Sequence, residues 1–293
     1  SDLGFALGPR INAAGRLEDM GIGIECLLCD DPVLALAFAG QLSSINAQRR
    51  EMQSAMIEQA EAMVADFLEG RDPLELPFGI VLYEPAWHPG VVGLVASKLR
   101  ERLNRPVVAF ASIEKCEQEN ALPDPGVQDV RTGNIELRGS ARSVEGFHLR
   151  DALAEIDAGF PGLITRFGGH AMAAGLTMPA SGLARFVAEF DAVARRRLDV
   201  ANLESCICSD GELEPADFTC ATADARRDAG PWGQGFVEPT FDKIFDVESW
   251  RTVGERHLKL KLRLVGCTAL LDVIMFNAIE VMPPPVRLRA VYG

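Results

Sequence analysis

The sequence is defined first by what it does not contain. No apolar run approaches the length of a bilayer span, so a helical membrane protein is not expected. The opening stretch, SDLGFALGPR, has no basic segment followed by an apolar one and predicts no signal peptide. It also lacks an initiator methionine and begins inside a motif, from which a piece of a longer protein is expected. Basic residues are in deficit: 29 Lys and Arg stand against 42 Asp and Glu, a net charge of −13. That excludes a protein that coats nucleic acid through bulk charge, and leaves only a local groove built from particular arginines. The 4 histidines, at 88, 148, 170 and 257, stand far apart. None sits in a DHH, HxD or HExxH string, and there is no Walker loop or GxSxG elbow. No self-contained catalytic centre is expected, and no metal ligand set. The 7 cysteines are odd in number. Cys26 and Cys29 have CxxC spacing, but no second pair completes a zinc site, and ECLLCD reads as an apolar helix face. Reduced cysteines in a cytoplasmic protein are the reading.

What is present is enough for two domains: 293 residues, 48% of them hydrophobic. Residues 1–30 read as glycine-rich and irregular. Asp30-Asp31-Pro32 then signals a helix start, an aspartate cap followed by proline in the first turn. A long helix is expected to about Leu68, with Leu42, Ile45, Met52, Met56 and Met63 on one stripe that Arg49 and Gln59 complete. A helix that bridges two domains is the preferred reading. GIVLY (79–83), the helix face Val92, Val95, Leu99, Leu103 and then PVVAFA (106–111) form a βαβ unit with parallel strands. Residues 112–134 read as a polar surface insertion. IELRGSARS (135–143) is a strand running into a loop, HLRDALAEI a helix, AAGLTM a strand, and GLARFVAEFDAVARRRL an amphipathic helix. Residues 73–200 thus make an α/β domain. Beyond it, ICSDGEL, PTFDKIFDVESW, RHLKLKLRLV, ALLDVIMFNA and VRLRAVY read as five strands, with one helix at TADARRDAG. A small OB-fold-like barrel, short of its closing strand, is expected there.

Three clusters suit an anion. GPRINAAGR (8–16) sets two arginines among small residues, and arginine offers phosphate a rigid fork of donors. RGSARS (138–143) reads as a glycine-serine turn whose N–H groups, hydroxyl and Arg142 form a nest. RFGGHAMAAG (166–175) exposes the backbone of Gly168 and Gly169 beside His170, which can donate to a phosphate oxygen or exchange a proton.

The segments SDLGFALGPRINAAGRLEDM, WHPGVVGLVASKLRERLNRPVVAFA, RGSARSVEGFHLRDAL, FGGHAMAAG and DAGPWGQGFVEPTF, in that order, resemble the RecJ family. RecJ proteins are bacterial single-strand-specific 5′→3′ DNA exonucleases of the DHH phosphoesterase superfamily. The resemblance runs essentially from end to end. It implies four parts: the tail of a DHH domain at 1–30, an interdomain helix at 31–72, a DHH-associated α/β domain with the GGH motif at 73–200, and an OB-fold-like, C-terminally truncated nucleic-acid-binding domain at 201–293. The family's DHH motifs, which hold two manganese or magnesium ions, have no counterpart here, so the ions are expected to lie outside this sequence and the chain alone to be inactive. By resemblance, His170 contacts the phosphate next to the cleaved bond. Arg10, Asn12, Arg16, Ser140, Arg142, Ser143, Gly168 and Gly169 hold DNA phosphates. Ala141 stands where the family usually has glycine, so that loop must either use a conformation open to alanine or sit slightly differently. Single-stranded DNA is the implied partner, with single-strand-binding protein and a helicase beside it in repair and recombination. Two alternatives remain. One is another DHH-superfamily phosphodiesterase, of the oligoribonuclease or cyclic-dinucleotide type, which typically lacks an OB-fold. The other is a non-catalytic single-strand-binding module.

Overall fold

The computed structural model describes residues 2–69, 76–113, 135–199 and 203, and then 206–233, 235–254, 257–266, 268, 270–276, 278 and 283–292. The insertion expected at 112–134 lies almost wholly outside the described residues, as does most of the stretch expected to end the long helix. The chain divides into two compact units, Ser1–Ser205 and Cys206–Gly293. Among the described residues no helix is long and apolar enough to cross a membrane.

The first unit opens with a π-helical segment, Asp2–Leu7, then α1 (Gly8–Leu17) and α2 (Gly21–Leu28). This corrects the reading of residues 1–30 as irregular. The small residues Ala13, Ala14 and Gly23 are buried; they serve helix packing rather than turns, and α1 and α2 both lie along α3. Helix α3 (Pro32–Leu68) starts where the sequence signals it. The Asp31 carboxylate accepts from the N–H groups of Val33 at 2.7 Å and Leu34 at 3.2 Å. These bonds satisfy donors that the first turn leaves without a helical partner. The helix runs about 55 Å at ~1.5 Å per residue. Leu42, Ile45 and Met56 on its stripe are buried. The stripe's polar members are bonded instead: Gln59 accepts from Trp87 Nε1 at 3.0 Å, and Arg49 donates to Asn46 and Gln53.

A five-stranded sheet follows, in the order β1-β2-β3-β5-β4. Its strands are β1 (Ile80–Tyr83), β2 (Val107–Ile113), β3 (Glu136–Arg142), β4 (Arg166–Gly169) and β5 (Ala173–Pro179). Strands β1 and β2 are parallel and joined through α4 (Val92–Leu103); all other pairs are antiparallel. Helices α5 (Leu149–Gly159) and α6 (Leu183–Arg197) complete the unit. Alternation along the strands gives the sheet two faces. One is closed along its length: Val108, Phe110, Leu137, Ala141, Leu176 and Met178 share a core with Leu153, Ile156, Phe186 and Phe190 of α5 and α6. The other carries a hydrophobic core only over β1 and β2, where Ile80, Leu82, Val107, Ala109 and Ala111 meet α4 and the C-terminal half of α3; α4 also packs on the Ser140–Arg142 end of β3 through Gly93 and Ser97. On β3, β5 and β4 the residues of this second face are Arg138, Ser140, Arg142, Ala173, Gly175 and Thr177, with Arg166 and Gly168 opposite them in register, and none belongs to a hydrophobic core. The sheet is therefore half bare on one side, over β5, β4 and the Arg138 end of β3, with Ser140 and Arg142 at the border that α4 covers.

The second unit holds α7 (Cys220–Asp228), capped by Thr219, and four strands: β6 (Phe241–Val253), β7 (His257–Leu264), β8 (Leu270–Met275) and β9 (Arg287–Tyr292). In β7 Leu258, Leu260, Leu262 and Leu264 are buried and alternate with Lys259, Lys261 and Arg263, so one face makes the core with Phe245 of β6. One expectation is corrected here. ICSDGEL forms no strand: it is held beside β6 by only two backbone bonds, Asp210 N–H to Thr240 O and Asp242 N–H to Gly211 O. The described strands form an open antiparallel sheet, β8-β7-β6-β9, with β8 and β9 at opposite edges and not paired, in keeping with a barrel short of its closing strand.

Candidate nucleic-acid interface

The bare half-face is organised by Arg142. RGSAR is not the turn the sequence suggests but the body of β3. Gly139 faces the core, where a side chain would strike Phe110 and Leu176, and Ala141 is fully buried among the same residues. The backbone groups expected to form a nest pair with β2 and β5 instead, and Ala141 needs no left-handed conformation. What remains of the cluster is its side chains. Period-two alternation puts Arg138, Ser140 and Arg142 on the open face. Arg142 Nε donates to Ser97 Oγ of α4 at 3.0 Å, and its Nη1 donates to Ser140 Oγ at 3.0 Å and Ala141 O at 2.8 Å. Ser97 in turn donates to Gly93 O at 2.9 Å, which fixes the lone pair it offers Arg142. Three neutral acceptors thus orient one guanidinium and leave its charge uncompensated. Burial, and then the charges of Arg16 and Arg100, hold Arg142 below the ordinary arginine value. A cation kept half-buried among other cations is stabilised by an anion at that place.

His170 stands at the same end of the sheet. Its N–H donates to Ala173 O at 2.8 Å, Ala173 lies opposite Arg142 in register, and Ser143 N–H donates to Met172 O at 3.0 Å. The GGH turn is therefore pinned beside the end of β3. The His170 ring is exposed, which removes the reading of a satisfied core histidine. Gly169 has φ +149°, and a Cβ there would lie 2.4 Å from Ala173 O, so only glycine closes this turn. The inward bond of His170 gives Gly168, two residues earlier, the same inward direction. Of the two glycines only Gly169 can turn its N–H to the open edge; Gly168, on the bare face opposite Gly175, offers closeness of approach instead of a donor.

The remaining candidates separate. Arg16 Nη1 donates to Gly90 O at 3.2 Å, which ties the end of α1 to the loop before α4. Its charge reaches both Arg142 and Arg49. Arg10 lies a turn and a half away on α1 and donates to Ser43 Oγ at 3.2 Å and to Ala6 O; no bond links it to the Arg142 cluster. Asn12 is exposed on α1. Ser143 is withdrawn from the interface: it is 1% exposed and its hydroxyl donates to Phe147 O at 2.5 Å. Among the described residues Arg16, Arg49, Arg100, Arg138, Arg142 and Arg166 form no ion pair. Arg100 even keeps a buried Nε without a hydrogen-bond partner. Of these, Arg49, Arg100, Arg138 and Arg166 did not figure among the sequence candidates. A usable signal existed only for Arg138, two residues from Ser140 and four from Arg142 on one strand face. No group of three or more His, Cys, Asp or Glu among the described residues could hold a metal ion.

Residues 77–196 match the DHHA1 domain and residues 209–292 the RecJ OB domain. The chain is 45% identical to the single-stranded-DNA-specific exonuclease RecJ of Dickeya dadantii and 43% to that of Escherichia coli, over 99% of this chain and 47% of each relative. It spans about half the length of the curated relatives it matches. Among solved structures, RecJ from Thermus thermophilus in complex with Mg2+ is similar with a TM-score of 0.73 at 28% identity, over 99% of this chain and 40% of that one. An exonuclease RecJ bound to manganese gives a TM-score of 0.51 at 32% identity, over 70% of this chain and 43% of that one. By its two domains, and by its similarity along nearly its whole length to these exonucleases, the chain belongs to the RecJ family.

Proposed function

We propose that this chain is the strand-holding part of a single-strand-specific 5′→3′ DNA exonuclease, and that the half-bare sheet face carries the strand. The observation that supports this most is the set of arginines without ion pairs around that face, in a chain with a net charge of −13. Arg142, oriented by Ser97 and Ser140, and Arg16 would hold a backbone phosphate. Gly168 and Gly175 would let the sugar-phosphate chain lie close to the sheet. His170 would donate to the phosphate beside the cleaved bond, and Gly169 N–H would be a second donor at the same edge. The OB domain would add affinity for the strand. Its match at 209–292 supports an exonuclease over a phosphodiesterase of small nucleotides.

The described residues do not fit the divalent ions named with the solved relatives, since no ligand set exists among them. The ions of the whole enzyme would be held by residues beyond these 293. By family resemblance, the whole protein would work with single-strand-binding protein and a helicase in repair and recombination. The test compares this chain with the full-length protein on a 5′-labelled single strand with manganese or magnesium. The reading expects the chain to bind the strand without shortening it and the full-length protein to degrade it. Degradation by the chain alone would place a complete active site within it and overturn the assignment.

A further inference from the structure

The bare face does not end at Arg142 and Ser140. Its far row crosses three strands: Arg138 on β3 faces Thr177 on β5, and Thr177 faces Arg166 on β4. With strands roughly 4.8 Å apart, the two arginines rise from backbones about 10 Å apart with a hydroxyl between them. Both are exposed, and neither makes an ion pair among the described residues. The row before it is Ser140, Gly175 and Gly168, so the floor between the arginines and the His170 turn carries almost no side chain. Arg138, Thr177, Arg166, Gly168 and Gly175 line a shallow depression of about 250 Å³. Two guanidinium groups converging on one depression repel each other unless an anion sits between them. Two forks and a hydroxyl donor match the oxygens of a phosphodiester.

We infer that Arg138, Thr177 and Arg166 form a second phosphate subsite, which takes a backbone phosphate of the same single strand a few nucleotides from the one at Arg142. The inference rests on the proposed reading that this face carries a strand. The distance supports it: Arg138 is four residues from Arg142 along β3, about 13 Å at ~3.3 Å per residue. That is too far for one phosphate to bridge, and the glycine floor lies along the way. The site reads backbone and not bases, so it has no sequence preference.

The experiment uses full-length protein with the metal chelated, so that the strand is not consumed. Affinity is measured by anisotropy across a salt series for oligothymidylates of about three and about twelve nucleotides. The double variant Arg138→Gln/Arg166→Gln is expected to bind the long strand about ten- to a hundredfold more weakly. It should bind the short one as the parent does, and its salt slope on the long strand should fall by about 0.7 for the lost phosphate contact. Arg138→Lys/Arg166→Lys should keep most of that slope. Unchanged long-strand affinity and slope in a double variant that melts normally would overturn the subsite, and so would equal losses on both strands. Failure of the underlying reading looks different: Arg142→Gln would then leave both strands unaffected as well.

Discussion

The arginines of the bare sheet face and those of the β6–β9 sheet keep different company. On the β6–β9 sheet three sit against carboxylates, Arg287 on Asp246, Arg289 on Asp242 and Arg263 on Glu248. On the bare half of the β1–β5 sheet the partners are hydroxyls and carbonyls, or absent among the described residues. A carboxylate neutralises an arginine and makes it part of the surface; a serine only aims it. With 42 acidic residues available, an uncompensated cluster of cations marks where an outside anion is expected. The composition of a chain therefore says little about its charge where it matters. A strongly acidic protein can still present a positive track.

The largest effect is expected at His170. In the full-length protein, His170→Ala is expected to slow single-turnover cleavage by about 10²–10³-fold, as for other donors that meet charge growing in a transition state. Melting should not change, because the ring is exposed, and a long strand held at many phosphates should bind almost as before. A normal single-turnover rate would reduce the GGH turn to scaffold. The smallest effect is expected on the other sheet. Arg287→Gln should leave strand affinity unchanged, since that guanidinium is already compensated by an exposed pair. A clear loss of affinity would show that paired arginines also carry the strand. The same pair has a pH signature. The Arg287 hydrogen bond holds the Asp246 carboxyl below its ordinary value, and a hydrogen bond from Ser209, followed by one from Arg289, does the same for Asp242. A depressed folded-state value stabilises the unit above the ordinary carboxylate range, and that stability is lost as pH falls through the lowered value. Acid unfolding of this unit should therefore begin below about pH 4 and shift upward in Arg287→Gln.

Local patterns were legible in the sequence where a residue's environment follows from its near neighbours. The Asp31-Pro32 helix start, the α4 face and the alternating leucines of β7 depend on spacing alone. Residues 1–30 misled because glycine and alanine mark turns and close helix contacts alike; only the burial of Ala13, Ala14 and Gly23 separates the two. RGSAR misled for a related reason. Gly139 looks like a turn residue, but its lack of a side chain answers to Phe110 and Leu176, which are distant in sequence. The bare half-face could not be read from any stretch. It exists because β5 inserts between β3 and β4 while α4 packs on β2 and β3, and that is a property of strand order. Arg166 therefore gave no sign that it shares a row with Arg138. Ser143 sits beside Arg142 in sequence yet turns inward to Phe147 O.

The central claim is that Arg142 is held for a phosphate, and its most direct test is the salt dependence of single-strand affinity in Arg142→Ala against the parent. Removing a charge-assisted bond is expected to cost about 1.5–3 kcal/mol of affinity. The slope of log affinity against log salt should also shrink by about 0.7, the share of one phosphate contact on a single strand. A variant that melts like the parent and keeps both its affinity and its slope would contradict the account, because the guanidinium that Ser97 and Ser140 orient would then be facing no phosphate.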